Sequence, residues 1–151
     1  YKQALTFLPR WARGVQVFAN ASAWRATGAN LGRFPGAFNA PRSGSWGASL
    51  SRERFNVRAN WNYRGRQRRG AVAAGPSIEP GTYIWQTKRL YLDLSGEFRL
   101  GKRLSLFANL RNVRGEPEQG GAVGPSTPAY AQLGYRYEYG SLWTFGVKGV
   151  F

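Results

Sequence analysis

Leu142-Trp-Thr-Phe-Gly-Val-Lys-Gly-Val-Phe151, the last ten residues, decide how the rest of the chain is read. Counting back from the end in steps of two gives Phe151, Gly149, Val147, Phe145 and Trp143. In a strand these positions share one face, which is apolar, uncharged and aromatic at both ends. Val150, Lys148, Gly146, Thr144 and Leu142 share the other face, which accepts a cation. Trp143 and Phe151 are separated by roughly 27 Å of extended strand, or about 20 Å after a tilt of ~40°. That is close to the ~25 Å apolar band that a transmembrane β-strand crosses. Taken alone, an edge strand of a soluble sandwich ending on Phe reads the same way.

Composition narrows the choice. The 151 residues carry a formal net charge of +15, and 15% of them are aromatic. This balance suits a nucleic-acid binder or a protein that sits against anionic lipid. Without cysteine or histidine, the chain has no thiol nucleophile, no His base and none of the usual zinc ligands. Methionine is also absent, even at position 1, so the chain is expected to be a C-terminal piece of a longer product. No signal peptide opens it, and no apolar run approaches the length of a membrane helix. A β-barrel requires no such run.

Period two recurs along the chain, whereas helical periodicity is hard to find. In Phe55-Asn-Val-Arg-Ala-Asn-Trp-Asn-Tyr-Arg64 the odd positions are all apolar or aromatic and the even ones Asn or Arg. Phe55 and Tyr63 repeat the spacing of Trp143 and Phe151. Leu90 to Leu100, Leu104 to Arg111 and Val15 to Ala23 alternate as well, and Lys2 to Leu8 and Ser45 to Ser51 do so more weakly. The expectation is an all-β, antiparallel, up-and-down transmembrane β-barrel fragment of about seven strands, one domain over residues 1–151.

The connections alternate in length. Pro9 to Gly14, Arg52 to Arg54 and Gly101 to Arg103 are tight. Arg25 to Gly44, Gly65 to Thr82 and Arg114 to about Gly140 are long and rich in Gly, Pro and Ser. Outer-membrane barrels have short periplasmic turns and long external loops. On that orientation Phe55, Phe98 and Phe151 form a low aromatic girdle, and Trp46, Trp61, Tyr63 and Trp143 a high one. A Lys or Arg facing lipid at mid-depth costs about 2–4 kcal/mol, and the lipid faces of the well-patterned strands carry none. Arg58, Asp93, Glu97, Arg99, Arg111 and Lys148 all have inward parity, while Lys88 points outward near the headgroups.

Four segments together resemble the C-terminal end of a TonB-dependent outer-membrane receptor. They are Val15-Gln-Val-Phe-Ala-Asn-Ala-Ser22, Phe55-Asn-Val-Arg-Ala-Asn-Trp-Asn-Tyr-Arg-Gly65, Leu104-Ser-Leu-Phe-Ala-Asn-Leu-Arg-Asn112 and Tyr139 to Phe151. The resemblance implies a 22-stranded barrel closed by an N-terminal plug, of which this is about the last seven strands. It implies active import of a scarce ligand, first a ferric siderophore, with cobalamin or an oligosaccharide behind it. The implied partners are outer-membrane lipid and lipopolysaccharide, the TonB complex acting through upstream residues, and the barrel-assembly machinery. Thr144, Gly146 and Phe151 resemble the terminal assembly signal, although Gly149 stands where a bulky residue is usual.

Lumen-facing Arg58, Asn60, Asn62, Asp93, Glu97, Asn109, Arg111 and Lys148 would contact the plug or line the ligand path, or simply pair with one another in a solvated wall. The basic run with Arg64, Arg66, Arg68 and Arg69 reads as an extracellular loop beside lipopolysaccharide phosphates, or as capture of an anionic ligand. Interleaved Arg and aromatics also bind nucleic acid, but a position just above the girdle argues against that. Tyr135, Tyr137 and Tyr139 alternate, which fits either a strand extension or a ligand-facing aromatic surface. Asp93 and Glu97 lie ~13 Å apart along a strand, too far for a carboxylate pair, and no phosphate loop precedes a helix. Catalysis, metal binding and a cofactor are not expected. A passive porin and a soluble basic nucleic-acid-binding β protein are the competing readings.

Overall fold

The alternating segments do form strands. A computed structural model describes residues 2–4, 9, 13–25, 27 and 42–149, and is all β and antiparallel. The strands are β1 (Lys2–Ala4), β2 (Val15–Ala23), β3 (Arg42–Ser51), β4 (Phe55–Arg64), β5 (Gln67–Ala71), β6 (Tyr83–Gln86), β7 (Arg89–Arg99), β8 (Leu104–Arg111), β9 (Glu118–Val123), β10 (Tyr135–Tyr137) and β11 (Leu142–Gly149). Among the described residues a 3-10 turn spans Ala129–Ala131.

Seven strands form the larger sheet, in the order β1-β2-β3-β4-β7-β8-β11. They fall on the seven segments singled out by period two, of which residues 5–8 and 150–151 lie outside the described residues, and each is antiparallel to its neighbours. A slip of one residue between neighbours would turn a strand's apolar set to the opposite face. The strands keep in phase instead. Leu50 pairs with Val57 and Val57 with Gly96; Trp46 pairs with Trp61 and Trp61 with Leu92; Phe55 pairs with Phe98 and Phe98 with Leu106. Across the other face Ser49 pairs with Arg58, Asn60 with Asp93, and Glu97 with Asn56.

The sheet is open, with β1 and β11 at its edges, and is not closed into a barrel. No apolar side chain is fully buried among the described residues; the largest side chain that is fully buried belongs to Gln86. Val57 is 46% exposed, Phe145 65% and Val147 63%. One face of the sheet is therefore a continuous apolar surface and the other a polar one.

The segments 65–82 and 114–140, expected as long loops, contain the short strands β5, β9 and β10, which with β6 form a second sheet. Its order is β10-β9-β6-β5, and each strand is contiguous in the chain with β11, β8, β7 or β4 in the same order. The pairs Arg64↔Arg89 and Gln67↔Gln86 share one register, so the β4–β7 hairpin resumes beyond a break at 65–66 and 87–88. The second sheet thus continues four strands of the first past its long-loop end. Its strands are 3–6 residues long, too short for an alternation count, and β9 carries Gly120 and Gly121 where side chains would mark the pattern.

On the polar face two phenylalanines interrupt the alternation, and each lies over a glycine of the adjacent strand. Phe18 is paired with Gly47 and Phe107 with Gly146. A Cβ on Gly47 would strike the Ala59 carbonyl oxygen and come within 2.6 Å of Phe18 Cζ; one on Gly146 would lie 2.5 Å from Phe107 Cζ. The ring fills the space the glycine leaves, a recurrent device for glycines in sheets. Gly146 therefore has a packing role within the sheet. Tyr135 covers Gly120 similarly, its hydroxyl oxygen 2.5 Å and its ring carbon Cζ 2.7 Å from a Cβ there. Gly47→Ala forces Phe18 or the β4 backbone to move, at a cost of about 1–3 kcal/mol. Thermal unfolding followed by circular dichroism is expected to show a lowered midpoint for Gly47→Ala and little change for Gly101→Ala, where the added methyl meets nothing within 4 Å.

Candidate functional site

The polar face of the larger sheet collects the charged and amide side chains that period two assigned to it. Asn60 Nδ2 donates to Asn62 Oδ1 at 3.0 Å, Asn62 Nδ2 to Asp93 Oδ2 at 2.9 Å, and the Asn112 backbone N–H to Asp93 Oδ1 at 3.0 Å. This chain runs from mid-sheet to the long-loop rim. Asn60 Oδ1 is buried without a hydrogen-bond partner among the described residues. Arg58 lays its guanidinium 4.3 Å from the centre of the Phe18 ring, so a Gly47–Phe18–Arg58 stack crosses three strands. Lys148 Nζ reaches Glu97 Oε2 at 3.6 Å. That pair, Asn56, Asn109 and Phe107 surround a hollow of about 390 Å³ on this face. Arg111, opposite Leu142 on β11, is exposed at the rim.

Asn112 ends β8 with φ at +51°, a conformation Asn tolerates better than most residues. Its side chain accepts from the Glu116 N–H at 2.9 Å and donates to the carbonyls of Glu116 (3.0 Å) and Gly140 (3.1 Å). The residue that closes Asn109-Leu-Arg-Asn112 thereby gathers the rim ends of two segments.

Where the two sheets meet, six polar side chains converge. Gln86 Oε1 accepts from Gln67 Nε2 at 3.0 Å and from Arg69 Nε at 3.1 Å, and Gln86 Nε2 donates to Glu118 Oε1. Arg89 Nη1 donates to Glu118 Oε2 at 2.9 Å and to the Tyr91 hydroxyl at 3.1 Å. Gln67, Gln86 and Arg89 are all buried. Buried groups of this kind are tolerated only when paired, and here the pairing ties β5, β6, β7 and β9 together. Sequence reasoning missed this cluster, whose members lie on four separate strands with no spacing to join them.

The basic run is not a loop. Arg64 ends β4, and Arg68 and Arg69 lie in β5, where a bulge falls between Arg68 and Gly70. Arg66 stacks over the Trp85 ring at 4.4 Å and Arg68 over Tyr83 at 4.3 Å. Trp85 and Tyr83 share one face of β6, so two guanidinium groups lie over aromatic rings on one side of the second sheet. Contacts of this type are worth about 0.5–2 kcal/mol each. Tyr135, Tyr137 and Tyr139 form a ladder with ring centres 5.0 Å and 6.1 Å apart; the first and second belong to β10 or its register, so the strand-extension expectation holds for 135–137.

The girdle aromatics are brought together in part. Phe55 and Phe98 are paired, as are Trp46 and Trp61, and Tyr63 is paired with Leu90. Trp143 falls in the row of Leu110, Leu94 and Ala59, one row below the tryptophan pair. Hydrogen-bonded rows run perpendicular to the strands, so in a tilted sheet a row is not level. Thr144 stands opposite Asn109, and Phe151 lies outside the described residues.

Two outer connections are clipped by Glu79. Its carboxylate accepts from the Ser126 hydroxyl and from the Ser126 N–H at 2.7 Å, and its carbonyl accepts from the Thr82 hydroxyl at 2.8 Å. The Ser126 hydroxyl first, and then its N–H, hold Glu79 below the ordinary value of 4.5.

No family model, curated relative or solved structure matches the chain.

A carboxylate with a depressed pKa stabilises above its unfolded value and loses that contribution as pH falls through its folded value. Hydrogen exchange in 75–82 and 124–127, corrected for intrinsic rates, is expected to hold steady above pH 4.5 and to rise below it. Glu79→Gln is expected to show raised exchange in both segments at neutral pH and to lose the step.

Proposed function

We propose that the chain is the C-terminal wall of a TonB-dependent outer-membrane importer, with its apolar face in lipid and its polar face towards an enclosed lumen. One observation carries this reading: the large apolar side chains lie exposed on a continuous sheet face, and the charges of the same strands, Arg42 at the rim apart, lie on the other. A soluble sheet protein of this size would cover such a face with a second layer, because an apolar patch this extended is unusual in contact with water. In a bilayer the same face needs no cover.

The parts then take distinct roles. The turns at Arg52–Arg54 and Gly101–Arg103 face the periplasm, and the second sheet stands on the ligand side. The hollow beside Glu97, Lys148 and Asn109, together with the Asn60–Asn62–Asp93 chain, offers donors and acceptors to a plug or a passing solute. The Arg66 guanidinium, held over the Trp85 ring, brings a cation to the ligand side, which favours an acidic ligand such as a ferric siderophore. TonB would act through residues upstream, and assembly machinery would engage β11.

Neighbouring residues give a sharp test. Leu94 and Ser95 lie side by side in β7 on opposite faces. In the full-length protein, Leu94→Lys is expected to lower the outer-membrane level several-fold, since a cation in mid-lipid costs about 2–4 kcal/mol, while Ser95→Lys is expected to be accumulated normally. Immunoblots of fractionated membranes read this; equal behaviour of the two variants overturns the assignment of faces. Uptake of labelled ferric siderophore by iron-limited cells, with and without TonB, tests the transport step.

A further inference from the structure

Cations gather at the short-turn rim of the larger sheet in a way that its middle avoids. The register that pairs Phe55 with Phe98 sets Arg54 opposite Arg99, and the Arg99 N–H donates to the Arg54 carbonyl at 2.7 Å. Arg99 is paired in turn with Ser105, and Ser105 with Lys148. One row across four adjacent strands therefore reads Arg54, Arg99, Ser105, Lys148, three cations with only a serine among them. Lys102 and Arg103 stand in the turn just beyond this row. Glu53 is the acid of the two turns, and Glu97, two residues nearer mid-sheet than Arg99, faces Lys148 at 3.6 Å.

Like charges directly opposite one another in a sheet repel and cost stability. Arg54, Arg99, Lys102 and Arg103 are all exposed, and none of them enters an ion pair among the described residues. Their side chains, with those of Ser105 and Lys148, edge a trough of about 650 Å³ that opens between the two turns. Neighbouring strands lie ~4.8 Å apart, so the row from Arg54 to Lys148 measures about 14 Å, roughly the length of four extended residues. Arg99 has the parity of Asp93 and Glu97, and Lys148 that of Thr144 and Gly146. The row thus stands on the polar face and not on the apolar one.

We propose that this row is a docking site for a short acidic stretch of a second polypeptide, laid across the strands with its carboxylates among Arg54, Arg99, Lys102 and Arg103. Guanidinium groups take carboxylates in paired, charge-assisted hydrogen bonds, and three of these four cations are arginine. A run of carboxylates spans the whole row, whereas one small anion answers a single pair of cations. Standing on the polar face, the row is also turned away from lipid, which in the membrane-wall reading above lies against the apolar side. That reading decides only which compartment supplies the partner, the one on the short-turn side. The binding itself follows from the strand pairing and the charges it aligns.

Full-length protein in non-ionic detergent, titrated into fluorescein-labelled hexaglutamate at low salt, is the material for the test, with binding read by fluorescence anisotropy. Wild type is expected to bind the peptide and to release it in molar salt, where the screening length falls to about 3 Å. Arg54→Ala/Arg103→Ala is expected to bind about ten-fold more weakly, the loss of two charged hydrogen-bond donors. Lys88→Ala/Arg114→Ala removes the same charge from exposed positions at the long-loop end and is expected to match wild type. Hexaglutamine on unaltered protein is expected to bind no better than hexaglutamate binds the Arg54→Ala/Arg103→Ala protein, an arm that needs no variant to fold. Absence of binding by wild type, or equal binding of hexaglutamine, overturns the site. Equal affinities of the two double variants assign the attraction to the overall charge of +15 and also overturn it. Displacement of the peptide by equimolar inorganic phosphate, or by an equimolar soluble anionic phospholipid, gives the row to a phosphate ligand and overturns it as a peptide site.

Discussion

Seven strands paired without a change of phase are the constraint on which the rest of this structure depends. Side chains alternate along a strand, so the ladder of backbone hydrogen bonds also decides which face every residue meets. With β4 and β7 in their observed register, Asn60 lies beside Asp93 and Trp61 beside Leu92. One residue of slip would set Arg58 and Asp93 among tryptophans and leucines. Cohesion comes from these ladders and from same-face neighbours. The few fully enclosed groups are polar or glycine, the reverse of an ordinary globular interior.

The long strands were legible because each repeats its pattern four or five times. β2, β4 and β8 run between the residues that period two assigns, and β7 differs by one residue at each end. The second sheet was not legible, since strands of a few residues give one or two alternations and pair with segments remote in sequence. Gln86 reads as a loop residue until β6 is placed between β5 and β9. Phe18 and Phe107 look like lapses in the pattern until the pairing sets a glycine beside each. The role of Asn112 is likewise invisible without its backbone angle, although its place at the end of a strongly patterned strand marks it as a boundary.

The formal charge of +15 takes on a geographical meaning once the sheets are drawn. On the larger sheet, cations occupy the polar face or the rims. Where the second sheet adjoins it, Arg66 and Arg68 lie over Trp85 and Tyr83, and Arg89 of β7 is locked to Glu118 in the buried cluster. Among the described residues the charge is spread over separate basic contacts on both faces and at the rims of the sheets, with no single phosphate-tracking groove.

The rings laid across Gly47 and Gly146 affect more than local packing. A phenylalanine standing upright on the polar face would project from it as a greasy stub. Reaching across a neighbour that has no side chain, each ring closes a gap in the polar face instead. At Phe18 the Arg58 guanidinium then rests on the ring, and at Phe107 the ring becomes the greasy side of a hollow otherwise edged by polar groups.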